Sequence, residues 1–206
     1  MLERVDVRLP RSEHTSQPWR IHELAPDFRV EDVWALPTPG GPDDFPRLVE
    51  GFASFDPSTS SSPAVRMLFT ARRRLGELLG LDDPAAGVGE RVSTLRDRLP
   101  DDLRGARPPV RFAAAPFEPV YMTGDELAAE IANRTVHGVL HLGWVEEDAG
   151  RYRGQLAILV KRNGLLGAAY MAAIKPFRHL MVYPQLMRDV ERAWGQGRTP
   201  AGEGRA

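Results

Sequence analysis

Two histidines, His137 and His141, stand four residues apart in the run Thr135-Val-His-Gly-Val-Leu-His-Leu-Gly-Trp-Val145. An imidazole exchanges protons near neutral pH and binds metals, so this pair is the first place to look for chemistry. On a helix the spacing would be that of a zinc site. On a strand the two rings share a face but sit about 13 Å apart at 3.3 Å per residue, too far for one ion with zinc–nitrogen bonds of about 2.1 Å. The β-branched and small neighbours select the strand. No glutamate follows the first histidine, as the metalloprotease helix requires, and no metal is expected. Val136, Leu140, Leu142 and Trp144 then form the apolar face. His137 and His141 turn away from the core, onto an exposed or subunit-facing surface.

Other residues suit proton transfer or binding. His179 follows Arg178 just beyond Pro176. A guanidinium there suits a carboxylate or phenolate, and His179 suits a general acid or base; both also fit plain surface positions. Glu126 and Glu130 would share one strand face, which does not by itself make a carboxylate dyad. Tyr121, Trp144, Tyr152 and Tyr170 each carry a polar tip on an apolar body. They suit the wall of a pocket for a planar or lipid-like ligand, or an ordinary core. Arg72-Arg73-Arg74 reads as a solvated helix face.

The elements that position these residues follow from periodicity. The run ending at Val145, the turn Glu146–Gly150 and the alternating run Arg151–Lys161 form a β-hairpin with one wet face. After Asn163-Gly164 the period becomes helical. Leu166, Tyr170, Ala173, Phe177, Leu180, Met187 and Trp194 mark one stripe of a long C-terminal helix, with kinks expected near Pro176 and Pro184. Phe117–Thr123 reads as a strand that Pro119 confines to an edge or bulge. Residues 125–132 have helical propensity but stand between strands with minimal linkers, and are taken as a strand. Pro18–Leu24 alternates as a first strand would. Asp27 is placed to cap a helix holding Val30, Val33 and Trp34. Phe45–Phe55 is apolar and undecided between strand and helix. Ser62–Gly80 has the start, stripe and stop of a helix, and a short helical piece is expected near Ser93–Leu99.

The 206 residues carry a net charge of −1, 27% charged and 42% hydrophobic residues. That is ordinary for one soluble domain and gives no electrostatic reason to expect nucleic acid or an anionic membrane. The absence of cysteine excludes disulfides and thiolate chemistry. The N-terminus has no apolar signal region, so the cytoplasm is the default location. Leu165–Ile174 is too short to span a membrane. Residues 1–16 are expected as a flexible arm, 17–194 as a single domain and 195–206 as a disordered tail.

The stretches Asn133–Gly143, Asn163-Gly-Leu-Leu-Gly167, Tyr170 and Pro176-Phe-Arg-His-Leu180 resemble a bacterial family catalogued as domain of unknown function 2867. The resemblance covers roughly residues 18–194. Its members are similar to the polyketide-cyclase and START-like superfamily. That implies an α+β helix-grip fold, a curved antiparallel sheet wrapped around a long C-terminal helix. It also implies a small hydrophobic or aromatic ligand, held by a carrier or sensor without a cofactor. The alternative is a cyclase, dehydratase or hydrolase using His179 or His137 as proton shuttle. Fused relatives suggest a third role, a module that partners a short-chain-dehydrogenase-like protein. Relatives read Pro-Phe-His-Arg where this chain has Pro176-Phe177-Arg178-His179, which displaces that histidine. No dinucleotide-binding turn is present. If alternation persists, Val139, Ala157 and Leu159 form an outer apolar patch suited to pairing two subunits.

Overall fold

A computed structural model describes residues 8–56, 88–89, 92–105, 108–112, 116–133, 135–164 and 178–196, with Arg66, Thr70 and Ala172 besides. Five antiparallel strands form one sheet in the order β1-β5-β4-β3-β2: β1 (Arg29–Ala35), β2 (Glu118–Met122), β3 (Glu126–Ala132), β4 (Val136–Asp148) and β5 (Arg151–Arg162). Strands β2 to β5 run as a meander, and β1 closes the far edge against β5. Gly150 takes a positive φ of 78° in the β4–β5 turn, a conformation that costs glycine little. Pro119 lies on the edge strand β2, beside a register shift between Pro119 and Tyr121, where its missing N–H does least harm. Residues 126–132 are extended despite their helical propensity, because β4 and β2 hold them on both sides.

Among the described residues the α-helical elements are α1 (Ser12–Thr15), α2 (Ile21–Leu24), α3 (Phe45–Ser54) and α4 (Tyr183–Gln196). A π-helical turn, Arg178–Val182, leads into α4. It sits just before Pro184, which lacks the amide donor a regular turn would use there. The apolar residues of α3 fall at Phe45, Leu48, Val49 and Phe52, so that helix buries a single stripe.

Both faces of the sheet are covered. One carries Leu127, Leu140, Leu142, Trp144 and Leu156 under α3 and α4; we call it the helical face. The other carries Ala128, Val139, Ala157 and Leu159 under Trp19, Ile21, Leu24, Phe28, Leu95 and Leu99; we call it the N-terminal face. This overturns the wet-faced hairpin, since only its turn and its ends are wet. The outer patch of Val139, Ala157 and Leu159 is at most 2% exposed and is covered by the chain's own N-terminal segment, so it does not offer a surface to a second subunit.

Three further expectations change. Pro18–Leu24 is not a strand: Ile21, Leu24 and Ala25 are buried at i, i+3 and i+4, and α2 forms instead. Val30, Val33 and Trp34 lie on β1, not on a helix, and Asp27 receives Arg98 and Lys161 at 2.7 and 2.8 Å. From Arg8 on, the arm is docked: Leu9 donates to the Val33 carbonyl at 2.9 Å, and His14 is fully buried. Apart from Arg66, Thr70 and Ala172, the helix expected over residues 62–80 with its arginine run, the apolar stretch 165–177, and the tail from 197 lie outside the described residues.

Candidate functional site

The register of β3 on β4 places Glu126 opposite Gly143 and Glu130 opposite Val139. Each carboxylate therefore lies diagonally beside one histidine on the N-terminal face. His141 Nε2 is 2.9 Å from Glu126 Oε2, and His137 Nε2 is 2.8 Å from Glu130 Oε2. All four side chains are buried. Glu130 also accepts from the Thr94 hydroxyl and from the Leu95 amide, so it ties the 3₁₀ turn Leu95–Arg98 to the sheet. Phe28 meets the His137 ring edge-on at 4.9 Å.

The Glu126 pair extends further. Tyr121 donates its hydroxyl to Oε2 at 2.8 Å, and the Arg20 amide donates to Oε1 at 2.9 Å. His141 Nδ1 faces His14 Nε2 at 3.3 Å. His22 Nε2 donates to the His14 carbonyl at 3.1 Å. Burial alone would raise the Glu126 pKa, but the hydrogen bonds from His141, Arg20 and Tyr121 outweigh it and lower it. Burial lowers the His141 pKa against the pull of Glu126. Burial, with His141 and His22 beside it, lowers the His14 pKa to about 2. Burial next to Glu126 pushes the Tyr121 phenol well above its ordinary range. The consistent protonation state is an anionic Glu126 and two neutral imidazoles. His141 donates from Nε2 to Glu126 and accepts at Nδ1 from His14. Trp19 lies 4.7–4.8 Å from both rings and rests directly on Gly143, where a Cβ would come within 2.3 Å of the indole.

This network is sealed, and its work is to hold α1 and α2 onto the sheet. Among the described residues no group of three His, Asp or Glu is placed to hold a metal. The sequence pointed to His137, His141, Glu126 and Glu130 separately. It missed His14 and Trp19, whose partner His141 is more than a hundred residues away, and His22, which bonds to His14.

The aromatic residues proposed as one pocket are divided. Tyr121 is on the N-terminal face. Trp144 and Tyr152 stack at 6.3 Å on the helical face. Trp144 donates its indole N–H to the Gly41 carbonyl at 2.9 Å, and Trp194 stands 6.0 Å from it. Tyr170 lies outside the described residues. Beside Trp194, α3 and α4 bound a groove of about 510 Å³, lined by Leu48, Phe52, Phe55, Leu186, Val190 and Trp194, with Arg47, Glu50 and Asp189. Arg47 donates to the Trp194 carbonyl and lies 4.0 Å over its ring. Tyr152 lines a smaller groove of about 300 Å³ with Gly40, Arg47 and Arg151.

His179 stands at the β1 edge of the helical face. Its Nε2 lies 2.9 Å from Asp32 Oδ1, a contact that is ionic only when the imidazole is protonated, and Tyr183 donates to Asp32 Oδ2 at 3.0 Å. The neighbouring Arg178 belongs to the same π-helical turn, and its side chain lies outside the described residues. Among the described helices none is long and apolar enough to cross a membrane.

The model of a family described as protein of unknown function (DUF2867) matches residues 24–185. No curated protein matches the chain, and no solved structure does.

Proposed function

The chain belongs to the DUF2867 family of proteins of unknown function, and we propose from that premise that it binds a small apolar or aromatic molecule between α3 and α4. The groove there carries the reading. Its volume of about 510 Å³ falls inside the range of small-molecule sites, about 300–1,000 Å³. Its walls are aliphatic and aromatic, and a few charged groups stand among them, as such sites require. Trp194 supplies a flat ring, and Arg47 above it can meet a polar tip on a bound molecule. An antiparallel sheet with a C-terminal helix lying on one face supports a helix-grip, START-like reading of the architecture.

The test uses 8-anilinonaphthalene-1-sulfonate, whose emission reports an apolar site. Wild-type protein should enhance the dye, and Val190→Trp, which fills the groove, should abolish the enhancement with circular dichroism unchanged. Native mass spectrometry of the same two proteins, purified from their source, should show a retained mass only in the wild type. Equal dye binding by the filled variant would defeat the reading.

A further inference from the structure

Arg47 stands where two grooves meet. It lines the apolar groove between α3 and α4 and also the smaller one beside Gly40 and Tyr152. Its side chain is half-buried, and two contacts hold it. One guanidinium nitrogen donates to the Trp194 carbonyl, and the guanidinium carbon lies 4.0 Å from the centre of the Trp194 ring. Trp194 is itself fixed, since its indole N–H donates to the Pro39 carbonyl at 3.1 Å. A guanidinium is a planar fork of N–H donors with no acceptor. The Trp194 carbonyl takes one of them and leaves most of the fork for another oxygen.

The acids nearby do not use that fork. Asp44 and Glu50 stand three residues before and after Arg47, a spacing at which helical side chains meet. Among the described residues no carboxylate forms an ion pair with Arg47. Asp44 Oδ2 accepts from the Gly41 amide at 2.8 Å, and Glu50 is exposed. In the larger groove Asp189 pairs with Arg192 at 3.2 Å. In the smaller one Glu147 pairs with Arg153, and Arg151 with Asp148. Arg47 is therefore an oriented cation beside an apolar space, with no counter-charge in contact. A neutral molecule seated in the groove would strip water from it without compensation, and burying a charge is unfavourable unless it is paired.

We propose, building on the small-molecule site between α3 and α4, that its ligand is a monocarboxylate with an apolar tail. The tail lies among Leu48, Phe52, Leu186 and Val190, and the carboxylate takes the Arg47 fork. The two groups match in shape and charge. A phosphate monoester fits less well, because Arg47 brings one positive charge and Asp44 and Glu50 lie close on either side of it in the chain.

The probes are 4-phenylbutyrate and 4-phenylbutanamide, which differ in charge and hardly in size. Isothermal titration calorimetry at pH 7 gives their dissociation constants with the full chain. Wild-type protein should bind the acid about tenfold more tightly than the amide, as a charge-assisted bond implies. Arg47→Met keeps a stem over Trp194 and removes the charge. It should weaken the acid about tenfold and change the amide little, so that the preference disappears. Arg47→Lys keeps the charge without the planar fork and should retain part of the preference. Circular dichroism checks that each variant is folded. Equal affinity of the wild type for the two probes, or a preference that survives Arg47→Met, would overturn the carboxylate assignment and leave the groove reading standing. Equal weakening of both probes by Arg47→Met would do the same, since it would make Arg47 a packing residue only. Wild-type protein that binds neither probe would overturn both.

Discussion

The two faces of the sheet are buried to similar depth by different means. The helical face is apolar away from its β1 edge: Leu127, Leu140, Leu142, Trp144 and Leu156 meet the stripes of α3 and α4. The N-terminal face buries Glu126, Glu130, His137 and His141 among Ala128, Val139 and Leu159, and it stays sealed because each charge has its donors. Burial of a charge is tolerated only when it is paired and hydrogen-bonded, and Glu126 has three donors to satisfy it. The helical face tolerates loose fit and leaves a groove. The N-terminal face is closed, and removing Glu126 there would leave three buried donors without their acceptor.

The largest effect should come from taking one partner away. Glu126→Ala strands the Tyr121 hydroxyl, the Arg20 amide and His141 Nε2 together. At about 1–3 kcal/mol for each buried unpaired group, urea denaturation should show a loss of about 3–5 kcal/mol. On the helical face the comparable change is Trp144→Phe. It removes only the indole bond to the Gly41 carbonyl and keeps most of the packing, so the loss should be near 1–2 kcal/mol. Equal losses at the two sites would erase the distinction between the faces.

The next effect is a pH dependence confined to the N-terminal face. The unfolded chain protonates His14 near its ordinary 6.5, while the folded protein resists until about 2. Between those values the unfolded state holds more protons, so stability falls as pH drops. The slope is at most about 1.4 kcal/mol per pH unit for one group. Unfolding free energies at pH 7.5 and 5.5 should differ by about 1–2 kcal/mol, most of it from this site. His14→Leu should flatten that difference. The lowered pKa of the adjacent His141 acts in the same direction and sets what remains.

The faces also differed in how far the sequence revealed them. The β4–β5 hairpin, the edge position of Pro119 and the strand at 126–132 were legible from local alternation, turn residues and short linkers. The Glu–His ladder was half legible. Glu126 and Glu130 have the same four-residue spacing as His137 and His141, and antiparallel neighbours with matched spacing align on one face. The burial of that face was not legible. Alternation of polar with apolar residues says water, unless something distant covers the polar side. The cover is α1 and α2, elements of four residues each, too short for periodicity to announce. The same blindness hid Asp32, which a register shift between Val30 and Asp32 turns to the helical face: a one-residue bulge reverses a face, and nothing local in Arg29–Ala35 marks it.

The smallest effect sits at the rim of the N-terminal face and tests whether pairing or burial matters. Asp27 resembles Glu126 on paper. It receives Arg98 at 2.7 Å and Lys161 at 2.8 Å, and so joins the 3₁₀ turn to β5. The Arg98 hydrogen bond holds its carboxyl well below the ordinary value, which would suggest a strong clamp. Its side chain, however, is 38% exposed, and its partners are 42% and 48% exposed. Water screens such pairs, and they contribute about 0–1 kcal/mol each. Asp27→Asn should therefore cost less than about 1 kcal/mol at pH 7 and low salt, and less again at 1 M salt. The depressed carboxyl makes its contribution fully present above the ordinary carboxylate value and lost as pH falls from there through the lower folded-state value. A loss as large as that of Glu126→Ala would mean that charge pairing alone, whatever its depth, holds this face closed.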